Sequence, residues 1–147
     1  MNRSAITTWI GSGKDGSGTL TCDSGALQNS PYSSRSRFVE TTPPTGANPE
    51  ELLAAAHAAS FTMSLASRLS DAGHTPLSIQ TEARVQVIKP ATHWSIPSIR
   101  LHTTVTAPGL SAAELMKLAH EARGHDPITQ ALKADVSLTA TLAERAV

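Results

Sequence analysis

Alternation of apolar and polar residues predicts six strands along the chain. The N-terminal run 5–10 is rich in β-forming side chains, and the Gly/Ser-rich stretch 11–18 turns the chain back into a second strand. Two longer runs in the middle of the chain alternate with a period of two, and Pro97 predicts a bulge or a sheet edge near the start of the second. The predicted strands cover residues 5–10, 19–22, 35–40, 77–89, 94–107 and 136–142.

The strongest helical pattern follows a loop that is rich in proline and glycine. Asn48 is a favourable N-cap, Pro49 suits the first helical position, and Gly73 is placed to end the helix. The pattern therefore predicts a long helix over residues 50–72. Residues at spacings of three and four give this helix one apolar face, formed by Leu52, Ala56, Ala59, Met63 and Ala66.

Two shorter helices are predicted before the last strand. Ser111 and Glu114 have the spacing of a capping box, which begins a helix that ends at residue 122 or 123. Asp126 is placed to cap a short helix over residues 127–134, with proline at its first position. The element order β-β-β-α-β-β-α-α-β predicts an α+β fold with mostly antiparallel sheet. The length of 147 residues fits a single domain over 1–147.

Composition and charge exclude several classes of partner. Apolar residues are 39% and charged residues 16%, which is typical of a globular chain. The 12 basic and 12 acidic residues cancel, so neither nucleic acid nor an anionic membrane is predicted as a partner. No apolar run reaches a membrane-spanning length of about 20 residues, and no secretory signal opens the chain. Cys22 is the single cysteine, so the cytoplasm is the expected compartment.

Three segments carry a resemblance to a known family. Residues 48–63, NPEELLAAAHAASFTM, resemble the central-helix signature of the OsmC/Ohr family, which reads NPEEL and then AAHAACFSM. Residues 31–38 resemble the arginine segment of that family, and residues 124–134, GHDPITQALKA, resemble its second motif, GCPxSxxL. His57 and the paired Glu50 and Glu51 are similar to the OsmC branch rather than to Ohr. Motif order and spacing agree over nearly the whole chain.

The resemblance implies a fold, an assembly and an activity. The family fold has two antiparallel sheets around central helices, in an intertwined homodimer whose active sites draw on both chains. Its members reduce hydroperoxides with a peroxidatic and a resolving thiol, while an arginine and a glutamate hold the peroxide. By the same resemblance, Arg37 matches the arginine and Glu50 matches the glutamate. We therefore expect a homodimer with a small-molecule substrate or ligand at its interface.

This chain departs from the family pattern at both thiol positions. Ser60 stands where the resemblance places the peroxidatic cysteine, and Asp126 stands where it places the resolving cysteine. Thiol peroxidases need a sulfur that becomes a sulfenic acid and then a disulfide, and neither an alcohol nor a carboxylate can do this. Cys22 lies outside both motifs. An engineered Cys→Ser replacement would explain Ser60 but not Asp126, so natural residues are the favoured interpretation.

Each candidate residue also has a purely structural explanation. Asp126 before Pro127 is an ordinary N-cap, and Ser60 in an Ala-rich helix can bond its own helix backbone. His57 belongs to the signature itself, and His125 can be a solvated loop residue. Arg37 and Glu50 can form a structural ion pair. The histidines show no metal-ligand spacing, and no metal or cofactor is predicted. The candidate site residues are Arg37, Glu50, Ser60, Asp126, His57 and His125.

The sequence is compatible with three functions. The first is a non-thiol enzyme that acts on a small apolar or hydroperoxide-like substrate in the Arg37/Glu50 pocket, with Asp126, Glu50 or a histidine moving a proton. A nucleophilic Ser60–His–Asp126 arrangement is disfavoured because no G-x-S-x-G turn presents the serine. The second is a cysteine-less pseudoenzyme or small-ligand-binding protein. The third is an ordinary OsmC hydroperoxide reductase inactivated by cysteine substitution.

Overall fold

The structure, a computed structural model, describes residues 1–39 and 45–143. The chain divides into two compact units, and the boundary in the sequence lies between Leu52 and Leu53. In the described residues the strands are β1 (Ala5–Ile10), β2 (Ser17–Cys22), β3 (Ser30–Ser33), β4 (Ser78–Ile88), β5 (Ser95–Thr106) and β6 (Asp135–Leu142). The helices are α1 (Ser34–Phe38), α2 (Pro49–Asp71), α3 (Ala112–His125) and α4 (Pro127–Ala131). The mixture of helices and two small sheets confirms the predicted α+β class.

The first unit contains an antiparallel sheet in the order β1-β2-β3. The predicted hairpin is confirmed, because Ala5 pairs with Cys22 and Ile10 pairs with Ser17. All six residues of β1 are exposed in this chain, including Ile6 and Ile10. The sheet of this unit therefore has little apolar core of its own, and Leu20 on β2 is its buried large apolar side chain among the residues described.

The predicted strand over residues 35–40 is wrong. Residues 34–38 form the short helix α1, and the third strand lies just before it, in a stretch where no strand was predicted. A reciprocal capping box explains the change: Ser36 N donates to Ser33 Oγ at 3.0 Å, and Ser33 N donates to Ser36 Oγ at 2.9 Å. Glu40, the last residue of the predicted strand, lies outside the described residues.

The long helix α2 begins and ends where its capping residues predict. Asn48 Oδ1 accepts hydrogen bonds from the backbone N–H groups of Glu50 and Glu51 at 2.9 and 3.2 Å. Gly73 has φ +85°, and the N–H of His74 donates to the carbonyl of Leu69 at 2.8 Å, as in a Schellman C-cap. Local chemistry at its two ends therefore fixes the length of α2.

The core of the second unit lies against a different face of α2 from the apolar face named above. Phe61, Leu65 and Leu69 are fully buried with side chains of β5 and α3. Ala56, Ala59 and Met63 are exposed, and Met63 retains 75% of its accessible surface. The helix therefore has two apolar faces, one of which packs within the unit while the other lies open in the single chain.

The sheet of the second unit has the order β4-β5-β6. Strands β4 and β5 are antiparallel, and their register shifts between Gln86 and Ile88, opposite Ser98 and Ser95. The predicted bulge at Pro97 is thereby confirmed. Strand β6 pairs with β5 in parallel, so this sheet is mixed, whereas the family resemblance implied two antiparallel sheets. The reason is the intervening pair of helices, which gives the chain enough length to return in the same direction.

The two helices between β5 and β6 differ from prediction only at their ends. Ser111 caps α3 by accepting from Glu114 N at 3.2 Å, and the helix continues through Gly124 to His125. Helix α4 ends at Ala131, three residues early, because the chain is already extended at Leu132. Within the described ranges, no helix has the length and apolar character needed to cross a membrane.

Candidate functional site

Arg37 and Glu50 form a two-pronged ion pair in the first unit. Arg37 lies in the last turn of α1, and Glu50 lies in the first turn of α2. Arg37 Nη2 donates to Glu50 Oε1 at 2.6 Å, while Arg37 Nε lies 3.1 and 3.3 Å from the two carboxylate oxygens. The Arg37 side chain is 40% exposed and that of Glu50 is 13% exposed. Glu50 therefore fixes the guanidinium through Nε and Nη2, while part of the arginine side chain remains exposed to solvent.

This arginine lines a small pocket, here called the Arg37–Glu50 pocket after the ion pair at its wall. Its volume is about 280 Å³, just below the roughly 300–1,000 Å³ usual for ligand pockets. The guanidinium carbon of Arg37 also lies 5.0 Å from the centre of the Phe38 ring. Residues of both polar and aromatic character line the pocket: Trp9, Gly13, Tyr32, Ser33, Ser34, Arg37, Phe38 and Pro49.

The second unit contains a buried polar group, here called the Asp126 cluster, formed by His57, Ser60, Asp126 and Thr129. Ser60 Oγ donates to Asp126 Oδ1. The backbone N–H and the hydroxyl of Thr129 both donate to Asp126 Oδ2, at 2.7 and 2.8 Å. Asp126 is fully buried, so these three donors replace the water that its carboxylate would otherwise bind.

The sequence creates this cluster through ordinary helix capping. Asp126 is the N-cap of α4, Pro127 takes the first helical position, and Thr129 is the third residue, whose backbone N–H an N-cap side chain accepts. His57 and Ser60 are three residues apart on α2 and therefore share a face. Capping alone would leave Asp126 Oδ1 unused, and Ser60 supplies its donor.

His57 completes the Asp126 cluster as a buried imidazole. Its Nε2 lies 2.8 Å from Thr129 Oγ1 and 3.6 Å from Asp126 Oδ2. Because the Thr129 hydroxyl gives its proton to Asp126, Nε2 must be the donor in this contact, which leaves Nδ1 as an acceptor. Nδ1 is buried and has no hydrogen-bond partner among residues 1–39 and 45–143. Burial lowers the pKa of His57 below 6.5, although the nearby Asp126 carboxylate opposes this effect.

The geometry does not match a Ser–His–Asp triad. In such a triad the histidine bonds the serine, whereas here Ser60 gives its proton directly to Asp126 and His57 bonds Thr129. Ser60 and Thr129 are half-buried, whereas the side chains of His57 and Asp126 are fully buried. The arrangement can hold α2 to the α3–α4 junction, and it can exchange a proton between an alcohol and a carboxylate.

The structure brings most of the predicted site residues into two groups. Arg37 meets Glu50, and Ser60 meets Asp126 and His57. His125 joins neither group, because its Nδ1 lies 2.8 Å from the carbonyl of Glu121 at the end of α3 and its side chain is exposed.

Thr129 bridges His57 and Asp126 but is not among the predicted site residues. Its position three residues after an aspartate N-cap is the sequence feature that could have indicated this contact. No group of three or more His, Cys, Asp or Glu side chains able to hold a metal ion occurs in the described part of the chain.

His57 predicts a pH dependence of stability. Because its pKa is lower in the folded protein than in the unfolded chain, the unfolded chain binds the proton first as the pH falls. The free energy of unfolding is therefore expected to be highest above pH 6.5 and to decrease as the pH falls below it. Urea denaturation at several pH values measures this slope. A His57→Gln variant, compared at each pH, should lack that part of the slope, and identical slopes would contradict the assignment.

Comparisons with known proteins agree with the fold and with the motifs. The family described as OsmC-like protein matches residues 42–141. Peroxiredoxin OsmC of Escherichia coli K12 is 40% identical over 130 residues, which are 88% of this chain and 89% of that protein. An OsmC-like protein of unknown function from Vibrio cholerae superposes with a TM-score of 0.76 at 19% identity, covering 95% of this chain and 99% of that one. The organic hydroperoxide resistance protein of Bacillus subtilis superposes with a TM-score of 0.65 at 23% identity, covering 95% and 98%.

Proposed function

Because this chain belongs to the OsmC family, we propose that it binds a small, apolar, hydroperoxide-like molecule in the Arg37–Glu50 pocket and does so without thiol chemistry. One observation carries the proposal. The arginine and glutamate that the family motif supplies are present and bonded to each other, while the two motif positions for cysteine hold a serine and an aspartate bonded to each other. The residues that would bind the peroxide are therefore present, whereas the two cysteines that would reduce it are replaced.

The Asp126 cluster supports the absence of thiol chemistry. The Ser60 hydroxyl donates to a buried carboxylate, and neither group can take up an oxygen atom from a peroxide as a sulfenic acid and then lose it as water when a thiol attacks. Cys22 lies at the end of β2, and it is the single cysteine in the sequence. A lone thiol could form a sulfenic acid, but no second cysteine of this chain could resolve it. The name peroxiredoxin, given to the Escherichia coli relative, therefore does not fit the residue set here.

The charge balance of the pocket indicates which chemical group of a ligand can bind next to Arg37. Glu50 already neutralises Arg37, so an added carboxylate would lie beside an existing negative charge. The Nη1 group of Arg37 makes no hydrogen bond with any residue that the structure describes, and it is available to donate to an oxygen atom. A neutral oxygen acceptor, such as a hydroperoxide or an alcohol, therefore suits the pocket better than an anion does.

We also propose the homodimer that the family resemblance implies, with the ligand at its interface. The exposed face of α2, with Ala56, Ala59 and Met63, supports this assembly. A second helix could approach these small side chains closely, and burial of Met63 would stabilise the contact. Cytoplasmic location remains the expected compartment for such a dimer.

The pocket assignment predicts the effect of removing the arginine. Calorimetric titration with cumene hydroperoxide, without reductant, is expected to show binding to the wild-type protein and about tenfold weaker binding to Arg37→Ala, because a hydrogen bond from a charged donor is lost. Glu50→Gln is the matched control: it leaves the guanidinium in place and should raise affinity for a carboxylate such as benzoate. Equal binding of cumene hydroperoxide by wild type and Arg37→Ala would exclude this pocket as the binding site.

A second candidate is redox-neutral turnover of the hydroperoxide. The half-buried Ser60 hydroxyl is bonded to the Asp126 carboxylate, which makes the pair an acid–base couple. Such an enzyme would rearrange or dehydrate the substrate, and it would need no reductant. Product analysis after incubation without thiols separates turnover from binding, and Ser60→Ala should abolish any turnover that depends on this couple.

A further inference from the structure

We propose that the Arg37–Glu50 pocket selects ligands that carry an aromatic ring, and that Trp9 and Tyr32 form the surface that recognises the ring. This inference rests on the proposed function and specifies its substrate class: a small aryl compound with one neutral oxygen acceptor. Trp9 on β1 and Tyr32 on β3 both line the pocket that contains Arg37. The oxygen would lie at the guanidinium, and the ring would lie on the aromatic surface.

The two rings form a fixed surface rather than an incidental contact. Their centroids are 5.3 Å apart and their planes are tilted by 46°, a favourable arrangement for an aromatic pair. The Tyr32 hydroxyl donates to the carbonyl of Thr8 at 3.1 Å, which holds the ring across the β2 strand. Trp9 remains 39% exposed, so part of its ring is available to a ligand.

Glycines make room for this aromatic pair. A Cβ atom on Gly16 would lie 2.6 Å from the indole of Trp9, and a Cβ atom on Gly18 would lie 3.0 Å from the ring of Tyr32 and would also clash with the Thr8 carbonyl. Any other residue at either position would therefore displace a ring or the strand pairing. Gly16 and Gly18 therefore allow the rings of Trp9 and Tyr32 to lie directly against the backbone of the β1–β2 hairpin.

The size and lining of the pocket restrict the ligand further. A volume of about 280 Å³ accommodates one ring with a short substituent better than a long acyl chain. The Ser34 hydroxyl on the pocket wall donates to the carbonyl of Gly13 at 2.6 Å, which satisfies both groups. Arg37 Nη1 then offers a ligand a charged donor that has no partner among the residues described here. A flat ring joined to a single oxygen acceptor matches this combination.

A matched pair of alcohols tests the aromatic preference without hydroperoxide chemistry. The full-length protein would be titrated by calorimetry with 2-phenyl-2-propanol and with 2-cyclohexyl-2-propanol, which share the alcohol and differ in the ring. We expect the phenyl compound to bind about fivefold more tightly, because aromatic contacts contribute beyond buried area. A Trp94→Phe variant leaves Trp9 as the single tryptophan, and its fluorescence should change on binding of the phenyl compound.

The outcomes separate this inference from the proposed function. Tighter phenyl binding that Trp9→Leu reduces to the level of the cyclohexyl compound would support both. Equal affinity of the two alcohols, or binding without a change in Trp9 fluorescence, would overturn the aromatic subsite and leave the pocket itself in place. Absence of binding by either alcohol and by cumene hydroperoxide would overturn the proposed function and the subsite together. The comparison in the wild-type protein stands even if Trp9→Leu does not fold.

Discussion

Replacing Ser60 and Asp126 together with cysteine is expected to give this chain a reductant-dependent hydroperoxide reductase activity, which we do not expect of the wild type. The side chains at these positions already touch, although they are 66 residues apart in the sequence. Two thiols there could therefore pass from sulfenic acid to disulfide, the cycle that the family resemblance assigns to these positions. The position before Pro127 also begins a helix, where a thiolate is favoured. Coupled consumption of cumene hydroperoxide and dithiothreitol measures the gain.

Single variants serve as controls for this gain of activity. Ser60→Cys alone should be oxidised by peroxide but should lack an internal resolving thiol, so its sulfenic acid should be trapped by a dimedone probe. An internal disulfide that forms without any peroxide turnover would contradict this prediction, because the two thiols would then pair without reducing the peroxide.

Removing the carboxylate at the centre of the Asp126 cluster is expected to cost more stability than any other single change in the site. Asp126→Ala deletes the N-cap of α4 and leaves the Ser60 and Thr129 hydroxyls without their acceptor. We expect a loss of about 3 kcal/mol in the free energy of unfolding, the sum of a lost cap and of two half-buried hydroxyls left without their acceptor. Urea denaturation at pH 7.5, where His57 stays neutral, measures this loss.

Two milder variants locate the source of that loss. Ser60→Ala removes one donor and should cost about 1 kcal/mol, while Asp126→Asn keeps the shape and one acceptor oxygen and should cost less than Asp126→Ala. If Asp126→Ala costs no more than an exposed N-cap, about 1 kcal/mol, the buried network does not contribute as described.

Elements with strong local signals could be predicted from the sequence. Helix α2 was predictable because Asn48, Pro49 and Gly73 act within a few residues of its ends. Strands β4 and β5 were predictable because their side chains alternate with a period of two over eleven and twelve residues. Helix α1 was not predicted, because Ser33 and Ser36 in a short polar stretch are as typical of a loop as of a capping box. The parallel pairing of β6 depends on tertiary packing, which no local pattern specifies.

The sequence motifs predicted which residues of the candidate site lie together but not how they bond. The contact between Arg37 and Glu50 and the proximity of Ser60 to Asp126 were expected from the family resemblance, because each pair joins separate segments and no periodicity relates them. The direction of the hydrogen bonds was not predictable. Whether Ser60 bonds His57 or Asp126 depends on positions of side chains to within about 1 Å, which are set by how α2 packs against the α3–α4 junction.

The absence of thiol-dependent peroxide reduction is tested most directly by an assay of reductant-dependent peroxide consumption by the protein with its native sequence. Cumene hydroperoxide and hydrogen peroxide would be followed separately with dithiothreitol and with a dihydrolipoyl reductant, alongside a Cys22→Ser variant. The absence of thiol chemistry predicts no turnover above the uncatalysed rate in either protein. Turnover to the alcohol that is lost in Cys22→Ser would contradict the claim and would assign the chemistry to the cysteine outside both motifs.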